Sequence, residues 1–231
     1  MRETVSLVVL LFTVVQTPTD RSAAAAIERH ARAVGESSLR SIRARVTEGV
    51  FDNGRGLVVR FRTFEKPPNK RVTVLETDRI EASNGSGRGY DGTTGWDKNF
   101  IGTGLRTVTG PELLDLERES QFLAPLRLAD GCVSLALDDG ADPVVTCAMA
   151  DGRTTRFHFD RISGLLAQLD VNTADGRGPR SAYYEDYRAV DGVRIPFRVR
   201  YGTTGSGVTY TSQRVRHNEA IDDRVFEKPK S

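Results

Sequence analysis

The sequence predicts a mainly β protein of the α+β type: a single curled antiparallel sheet forming an incomplete barrel, with one or two helices plugging or covering its concave face. Six Asp-Gly pairs, which are typical of tight hairpin turns, separate short runs of alternating apolar and polar residues. Helical spacing is confined to two stretches, so strands follow strands instead of alternating with helices. A sheet of roughly nine to eleven strands curls or splits because its strands twist.

Residues 1–17 differ from the rest of the chain and are predicted to be a signal peptide. Arg2 precedes an apolar run over residues 5–15, which has the length of a signal-peptide core and is too short to span a bilayer comfortably. Cleavage near Thr17 and cleavage within residues 23–26 fit equally well, and an uncleaved membrane anchor is the alternative to export. Residues 18–231 show no repeat and no long linker, so we expect one domain.

Two amphipathic helices are predicted. The first covers residues 22–34, with Ser22 as its N-cap, Gly35 as its stop and a face made mostly of alanine. The second begins at the capping box Thr109-Gly110-Pro111-Glu112, carries several leucines and ends before Pro125. This second helix interrupts a chain of strands, so we expect it to lie in or over the mouth of the curled sheet.

The strands of the first half are predicted from turns. A two-residue turn at Asn53-Gly54 would place Val46 and Val50 on one face with Leu57, Val59 and Phe61. A turn over residues 66–70 leads into a strand that carries Val72 and Val74. Residues 84–89 are predicted to be a glycine-rich loop before Trp96, which either lies at the rim of the cavity or anchors the neighbouring turn.

Two further turns in the second half predict the same face for one strand. Two-residue turns at Asp139-Gly140 and Asp151-Gly152 both group Val144 and Thr146 with apolar residues, namely Val133 and Leu135 on one side, Phe157 and Phe159 on the other. The first turn also sets position 132 opposite position 147. Cys132 and Cys147 would then be close enough to form a disulfide in an oxidising compartment.

Residues 183–201 (YYEDYRAVDGVRIPFRVRY) are the strongest hairpin, around Asp191-Gly192. After the turn an apolar face alternates with an arginine face, and the register places Glu185 opposite Arg198 and Tyr183 opposite Arg200. The same register puts Asp186 and Arg188 on the apolar face. That face is therefore either open to water, or the strand carries a bulge.

Composition and motifs argue against several kinds of function. The formal net charge is +2 with both signs interspersed, so no nucleic-acid partner is expected. His30, predicted to be solvated, His158 and His217 fall in separate elements, so no metal site is expected. The glycine-rich segment at 85–89 lacks the Lys-Ser/Thr pair of a phosphate loop. We therefore predict neither a cofactor nor an enzymatic activity.

Several segments, taken in order, resemble the LolA-type family of periplasmic outer-membrane lipoprotein-sorting proteins. They are residues 90–96 (YDGTTGW), 109–113 (TGPEL), 159–166 (FDRISGLL), 186–197 (DYRAVDGVRIPF) and 223–229 (DRVFEKP). The resemblance covers most of the chain after the predicted signal peptide. It implies an incomplete antiparallel barrel with a helical lid, whose apolar cavity carries acyl chains across the periplasm.

The functional prediction is therefore an exported, monomeric, non-catalytic carrier in the periplasm. It would hold the acyl chains of a lipid or lipoprotein and release them to a membrane protein of the cell envelope. The alternative is a structural or interaction module of the envelope, with the same fold but a filled core and no ligand. The residues predicted to line the cavity are Val46, Val59, Phe61, Val72, Val74, Trp96, Leu113, Leu116, Phe157, Phe159, Ile195, Phe197 and Val199.

Overall fold

The computed structural model describes residues 18–76, 86–98, 104–172, 179–203 and 206–229, so the predicted signal peptide lies outside the described residues. Within them, 13 strands form one antiparallel sheet that is not closed into a barrel, as predicted. The strands are β1 Arg45–Asp52, β2 Val58–Lys66, β3 Lys70–Glu76, β4 Ser86–Tyr90, β5 Gly95–Lys98, β6 Leu105–Val108, β7 Cys132–Asp139, β8 Pro143–Met149, β9 Thr154–Phe159, β10 Leu166–Asn172, β11 Pro179–Val190, β12 Val193–Thr203 and β13 Ser206–His217.

The order of strands across the sheet is β6-β5-β4-β3-β2-β1-β13-β12-β11-β10-β9-β8-β7, so the chain meanders from β1 outward to one edge at β6 and then from the other edge at β7 inward to β13. Three α-helices accompany the sheet: α1 Pro18–Val34, α2 Glu36–Ser41 and α3 Gly110–Glu119. Short 3₁₀ turns cover Ala124–Leu126 and Asp223–Phe226. No helix within these described ranges is long and apolar enough to cross a membrane.

All three α-helices lie on one face of the sheet, which we call the inner face. Val34 of α1 and Leu39 of α2 pack with Ile195 and Phe197 of β12. The opposite, outer face is covered near β3 and β5 by the C-terminal segment, whose Phe226 packs with Val72 and Trp96. Because side chains alternate along a strand, the cross-strand register assigns each strand residue to one of these two faces.

α1 begins earlier than predicted, and α3 ends at Glu119 and not just before Pro125. α1 begins at Pro18, so Ser22 lies inside it and is not its N-cap, while Gly35 does end the helix in a left-handed conformation. Thr109 occupies the N-cap position of α3 but its side chain makes no capping hydrogen bond. Glu112 accepts hydrogen bonds from Arg106 instead, at 2.8 Å, so the predicted capping box does not form.

The turn at Asn53-Gly54 is wider than predicted, and the predicted register of β1 and β2 is wrong. The side-chain oxygen of Asn53 accepts hydrogen bonds from the backbone N–H groups of Arg55 and Leu57, at 2.8 and 3.0 Å, which holds a longer loop. Phe61 consequently pairs with Gly49, whereas Val46 pairs with Phe64. Val46 and Val50 therefore face outward, while Val59 and Phe61 face inward.

The predicted face of β8 is also wrong. Leu137 pairs with Val145, and Val145 in turn pairs with Phe157, so it is Val145 and Cys147 that face inward. Val144 and Thr146 face outward. The predicted Cys132–Cys147 disulfide is present, with 5.4 Å between the Cα atoms, although Cys132 pairs with Met149 across a register shift.

The central hairpin has the predicted register. Glu185 pairs with Arg198, with 3.5 Å between their charged atoms, and the Arg200 guanidinium lies over the Tyr183 ring at 3.9 Å. The pairing continues in one register on both sides of Asp186, which adopts a positive φ of 54°. The conflict at this position is therefore accommodated by a local backbone distortion and not by an inserted residue.

The predicted glycine-rich loop is largely strand β4, because residues 86–90 pair with β3 and β5. A Cβ atom on Gly89 would lie 2.5 Å from Cε2 of Trp96, so glycine is required where the indole ring lies flat on the strand. The Trp96 Nε1–H donates a hydrogen bond to the carbonyl oxygen of Phe226 at 3.1 Å. Trp96 therefore anchors the C-terminal segment on the outer face.

Candidate binding site on the inner face

The structure separates the predicted cavity residues into two sets. Val46, Val72, Val74 and Trp96 lie on the outer face, on the opposite side of the sheet from the helices. The set that faces inward consists of Val59, Phe61, Leu113, Leu116, Phe157, Phe159, Ile195, Phe197 and Val199.

Most residues of the inward set are already packed beneath a helix. Ile195 and Phe197 lie under α1 and α2, and Phe157 and Phe159 pack against Ala23 of α1. Leu113 and Leu116 of α3 pack on Tyr90 and Val108. The remaining three, Val59, Phe61 and Val199, lie further along the sheet, where the inner face carries a group of aromatic rings.

We call this group the aromatic patch: Phe51, Phe61, Tyr201 and Tyr210. The Tyr210 ring is at its centre, with centroid distances of 5.0 Å to Phe51, 5.1 Å to Phe61 and 6.0 Å to Tyr201. Tyr201 is 39% exposed although it points to the inner face, so this end of the face is open. Phe51 and Phe61 are themselves buried, so the accessible part of the patch consists of the exposed Tyr201 and the partly buried Tyr210, each with a hydroxyl group.

Two exposed apolar side chains lie beside the aromatic patch, at the start of β2. Leu57 is 36% exposed and Val58 is 60% exposed. Leu57 lies at the end of the Asn53 turn, next to the inward-facing pair of Val59 and Phe51, whereas Val58 is the first residue of β2, pairs with Asp52 and faces outward. Apolar side chains therefore extend from the inner face to the rim of the sheet, which is typical of a binding surface.

At the other end of the same strands, three charged residues form the arginine cluster: Arg45, Glu65 and Arg71. They are direct cross-strand neighbours on β1, β2 and β3. The Glu65 carboxylate accepts a hydrogen bond from Arg45 at 2.6 Å and lies 3.8 Å from the Arg71 guanidinium. Burial alone would raise the pKa of Glu65, but the two arginine charges and the hydrogen bond outweigh it and hold this pKa at about 2.

Arg71 also contacts the second predicted helix. Its Nη1 donates a hydrogen bond to the carbonyl oxygen of Glu119 at 3.0 Å, at the last residue of α3. Carbonyl groups at a helix C-terminus lack intrahelical partners, so a guanidinium is a favourable partner there. Arg71 therefore ties the end of α3 to the inner face.

Three tyrosines of the inner face interact electrostatically with Arg71. Desolvation of the hydroxyl groups raises the pKa values of Tyr184, Tyr201 and Tyr210, the last to about 12, although Tyr201 as a whole is partly exposed, and the Arg71 charge acts in the opposite direction on all three. These hydroxyl groups are therefore protonated at neutral pH and can donate hydrogen bonds. The guanidinium and the three tyrosines all lie on the inner face of the sheet.

A cleft of about 690 Å³ opens beside this interior, where β10 and β11 separate beyond the pair Gln168–Tyr183. Its size is within the range of small-molecule sites. The Tyr187 hydroxyl donates a hydrogen bond across it to the carbonyl oxygen of Leu166 at 2.8 Å. The lining residues are Ala33, Asp160, Ser163, Leu165, Leu166, Ala167, Tyr184, Glu185, Asp186, Tyr187 and Arg194.

The cleft meets the inner face at Tyr184, which lines the cleft and whose pKa, raised by burial, is lowered in part by the charge of Arg71. No predicted cavity residue lines this cleft. Sequence reasoning missed the cleft, the arginine cluster and the Phe51–Tyr201–Tyr210 part of the aromatic patch. The apolar alternation of β12 does include Tyr201, and that was the one available signal.

The histidines are placed differently from one another. His30, predicted to be solvated, is on the side of α1 that packs on the sheet and is buried beside Phe159, and burial lowers its pKa to about 4. His158 lies on the outer face with its Nε2 2.8 Å from Asp170, and His217 Nδ1 lies 3.0 Å from Asp191. Within the part of the chain that the structure describes, no three His, Cys, Asp or Glu side chains are grouped to hold a metal ion.

The fold of this chain is similar to the folds of solved LolA-like proteins. No family model and no curated protein matches the sequence. A DUF1329 family protein from Desulfovibrio piger has a TM-score of 0.56 at 14% identity, with 89% of this chain and 97% of that chain covered. A LolA superfamily protein from Nitrosomonas europaea has a TM-score of 0.54 at 11% identity, covering 92% of this chain and 99% of that chain.

A third solved structure is a domain from Vibrio parahaemolyticus that is described as an outer membrane lipoprotein-sorting protein domain. It has a TM-score of 0.56 at 9% identity, with 89% of this chain and 97% of that chain covered. At these identities the comparisons establish the fold alone. The resemblance predicted from the sequence motifs is confirmed at that level.

Proposed function

We propose that the protein is an exported, non-catalytic carrier that holds acyl chains of a lipid or lipoprotein on its inner face. The observation that supports this proposal is the aromatic patch, which faces the same way as the helices yet leaves Tyr201 exposed and continues to an exposed apolar side chain, Leu57, at the rim of the sheet. Each methylene removed from water there contributes about 0.8 kcal/mol, so a long chain binds through hydrophobic burial alone.

Within this proposal the acyl chains contact Val59, Phe61 and Val199 together with the rest of the aromatic patch. The helix-covered residues of the predicted cavity reach the ligand after a helix moves. α3 is the candidate lid, because its packing on the sheet is limited to a small cluster that includes Leu113 and Leu116, and its end is held by Arg71. Outward movement of α3 would expose both leucines.

The proposed location is the periplasm, and the proposed partner is an envelope membrane protein that loads or receives the acyl chains. The Cys132–Cys147 disulfide supports export, since such bonds persist in oxidising compartments. The LolA superfamily and lipoprotein-sorting descriptions of the solved relatives support the kind of cargo. The carrier acts as a monomer and needs no cofactor.

The experiment combines native mass spectrometry of protein from an envelope fraction with binding of a fluorescent long-chain fatty-acid probe. Tyr201→Ala removes an exposed part of the aromatic patch, so probe binding should weaken while the unfolding free energy changes little. Tyr183→Ala is the matched control, because Tyr183 pairs with Arg200 on the outer face of the neighbouring strand. The control variant should bind the probe as the wild type does.

The proposal is abandoned if no lipid co-purifies and the probe does not bind. Equal weakening by Tyr183→Ala and Tyr201→Ala would also contradict it, since the two tyrosines lie on opposite faces. Phe159→Ala supplies a third measurement: Phe159 is buried in the cluster beneath α1, so we expect a loss of about 3–5 kcal/mol of stability.

The second candidate is a structural or interaction module of the cell envelope that binds no lipid. The two filled clusters beneath α1 and α2 favour it, because they occupy the part of the inner face that a deep cavity would need. Such a module would act through a sheet edge or the outer face. This second candidate predicts that Tyr201→Ala is as stable as the wild type, that no lipid is found by native mass spectrometry and that the fatty-acid probe does not bind.

A further inference from the structure

We propose that the bound amphiphile carries a single negative charge on its head group, and that Arg71 receives this head group while the acyl chain lies along β2 and β3 toward the aromatic patch. The inference rests on the proposed function in requiring a ligand on the inner face. It adds the chemical class of that ligand and the direction in which it binds.

The inner face changes from charged to apolar along two adjacent strands. Successive inward pairs of β2 and β3 are Glu65 with Arg71, Thr63 with Thr73, and Phe61 with Leu75. The two threonine hydroxyls are 2.9 Å apart and form a polar step between the charged and the apolar pair. Arg71 and Leu75 are four residues apart on one strand, which is about 13 Å. This order matches an amphiphile with its head at Arg71.

Arg71 has donors available for a ligand. Its side chain is 35% exposed although it points into the inner face. Among the hydrogen bonds between described residues it makes one, to the carbonyl oxygen of Glu119. A guanidinium carries five N–H donors in a planar fork that suits a carboxylate or phosphate oxygen pair. The remaining donors of Arg71 can therefore bind an anionic head group.

The charges around Arg71 favour an anion. Its nearest carboxylate, Glu65, lies 3.8 Å away and is already hydrogen-bonded to Arg45 at 2.6 Å, so two guanidinium groups share one buried carboxylate. The carboxylate of Glu119 also acts on Arg71, but Glu119 is exposed at the end of α3, where water screens its charge. One negative charge from a ligand would balance the second of these two guanidinium charges on the inner face.

The positive charge of Arg71 also acts on three tyrosine hydroxyls of the inner face. Tyr184, Tyr201 and Tyr210 all lie on the inner face, and the Arg71 charge reaches each of them. The Arg71 guanidinium therefore supplies the direct hydrogen bonds to the head group, and the neutral hydroxyls add no charge that would oppose an anion.

The test measures how strongly the wild type prefers dodecanoic acid over methyl dodecanoate at pH 8, in competition with the fluorescent probe. The two ligands share their chain and differ in head-group charge. We expect the acid to bind roughly 10- to 100-fold more tightly, the range of a hydrogen bond to a charged group. Arg71→Met should remove this preference by weakening the acid alone, and Arg71→Lys should retain part of it.

Arg200→Met is the matched control, because Arg200 lies over Tyr183 on the outer face. It should leave the preference unchanged. Equal binding of acid and ester by the wild type would overturn this inference and leave the proposed function standing. Equal weakening of both ligands by Arg71→Met would also overturn it, because Arg71 would then act only by holding α3. Binding of neither ligand by the wild type would overturn the proposed function as well.

Discussion

Replacing Glu65 by Gln removes the carboxylate that Arg45 and Arg71 share inside the inner face. The side chains of Arg45 and Glu65 are 16% and 10% exposed, so the change leaves one nearly buried guanidinium group, Arg45, and one partly exposed group, Arg71, without their common partner. Removing one partner of a buried ion pair is costly, because the charge that remains has lost its compensation. We expect Glu65→Gln to destabilise the protein at neutral pH.

The size of the effect follows from the pKa of Glu65, which the arginines lower from its ordinary value of 4.5 to about 2 in spite of burial. Each pKa unit corresponds to about 1.4 kcal/mol, so ionised Glu65 contributes about 3 kcal/mol to the free energy of unfolding. Because the folded-state pKa is depressed, this contribution is complete above the unfolded-state value. It is lost as the pH falls from about 4.5 through about 2.

The assay is urea unfolding of the oxidised protein, followed by circular dichroism, at several pH values between 7 and 2. Glu65→Gln should be about 3 kcal/mol less stable than the wild type at pH 7, and the difference should narrow by a similar amount by pH 2. Glu185→Gln is the control, since Glu185 and Arg198 are 44% and 52% exposed and should contribute under about 1 kcal/mol. Equal losses for the two variants, or a difference for Glu65→Gln that does not change with pH, would refute the reasoning.

Two further variants test the packing around the sheet. Gly89→Ala places a Cβ against the Trp96 ring, so we expect the free energy of unfolding to fall by about 1–3 kcal/mol and the tryptophan fluorescence to shift to the red. Gly140→Ala is the control and should be close to neutral, because the nearest atom to its added Cβ is 3.7 Å away. An unshifted spectrum for Gly89→Ala would show that the ring does not lie on β4. Cys132→Ser combined with Cys147→Ser opens a loop of 15 residues and should lower the free energy of unfolding by about 3 kcal/mol without reductant, and an equally stable double variant would contradict the bond.

The central hairpin could be predicted from the sequence because its turn depends on local conformation. Asp191 and Gly192 both adopt positive φ, at 49° and 78°, as a two-residue hairpin loop requires. The alternation after the turn is uninterrupted from Val193 to Tyr201, so pattern and turn specify one register. The disulfide partners were also predictable, because adjacent strands tolerate a small register error and still bring two cysteines together.

The face of β8 could not be predicted, although two turns agreed on it. Asp138 pairs with Val144 instead of Ala141, a shift of three residues, and Ala148 pairs with Thr154 instead of Thr155, a shift of one. Both shifts are odd. An odd shift exchanges the two faces of β8 relative to the neighbouring strand. Because the shifts on both sides of β8 are odd, both turns predicted the same face for β8, and that face was wrong. Agreement between two turns is independent evidence only when the loop lengths are known.

Most of the candidate site was beyond the reach of the sequence. Arg45 and Glu65 are 20 residues apart, and only the register of β1, β2 and β3 makes them neighbours of Arg71. Trp96 was expected at the cavity rim or as a turn anchor, yet it lies on the outer face and binds the C-terminal segment. Val46 was assigned to the wrong face because the Asn53 turn is longer than two residues, and Val72, Val74 and Trp96 lie on the outer face through the separate registers of β3 and β5.

By itself the sequence determined the class of fold, the central hairpin and the pairing of the cysteines, since turn dipeptides and alternation act over a few residues. Only the tertiary structure decided which residues share a face, which of them a helix covers and where an accessible arginine meets apolar rings. The physical reason is the two-residue period of a strand: a change of one residue in a loop reverses the direction of every side chain that follows it. Helix coverage, in turn, depends on packing between segments far apart in the chain.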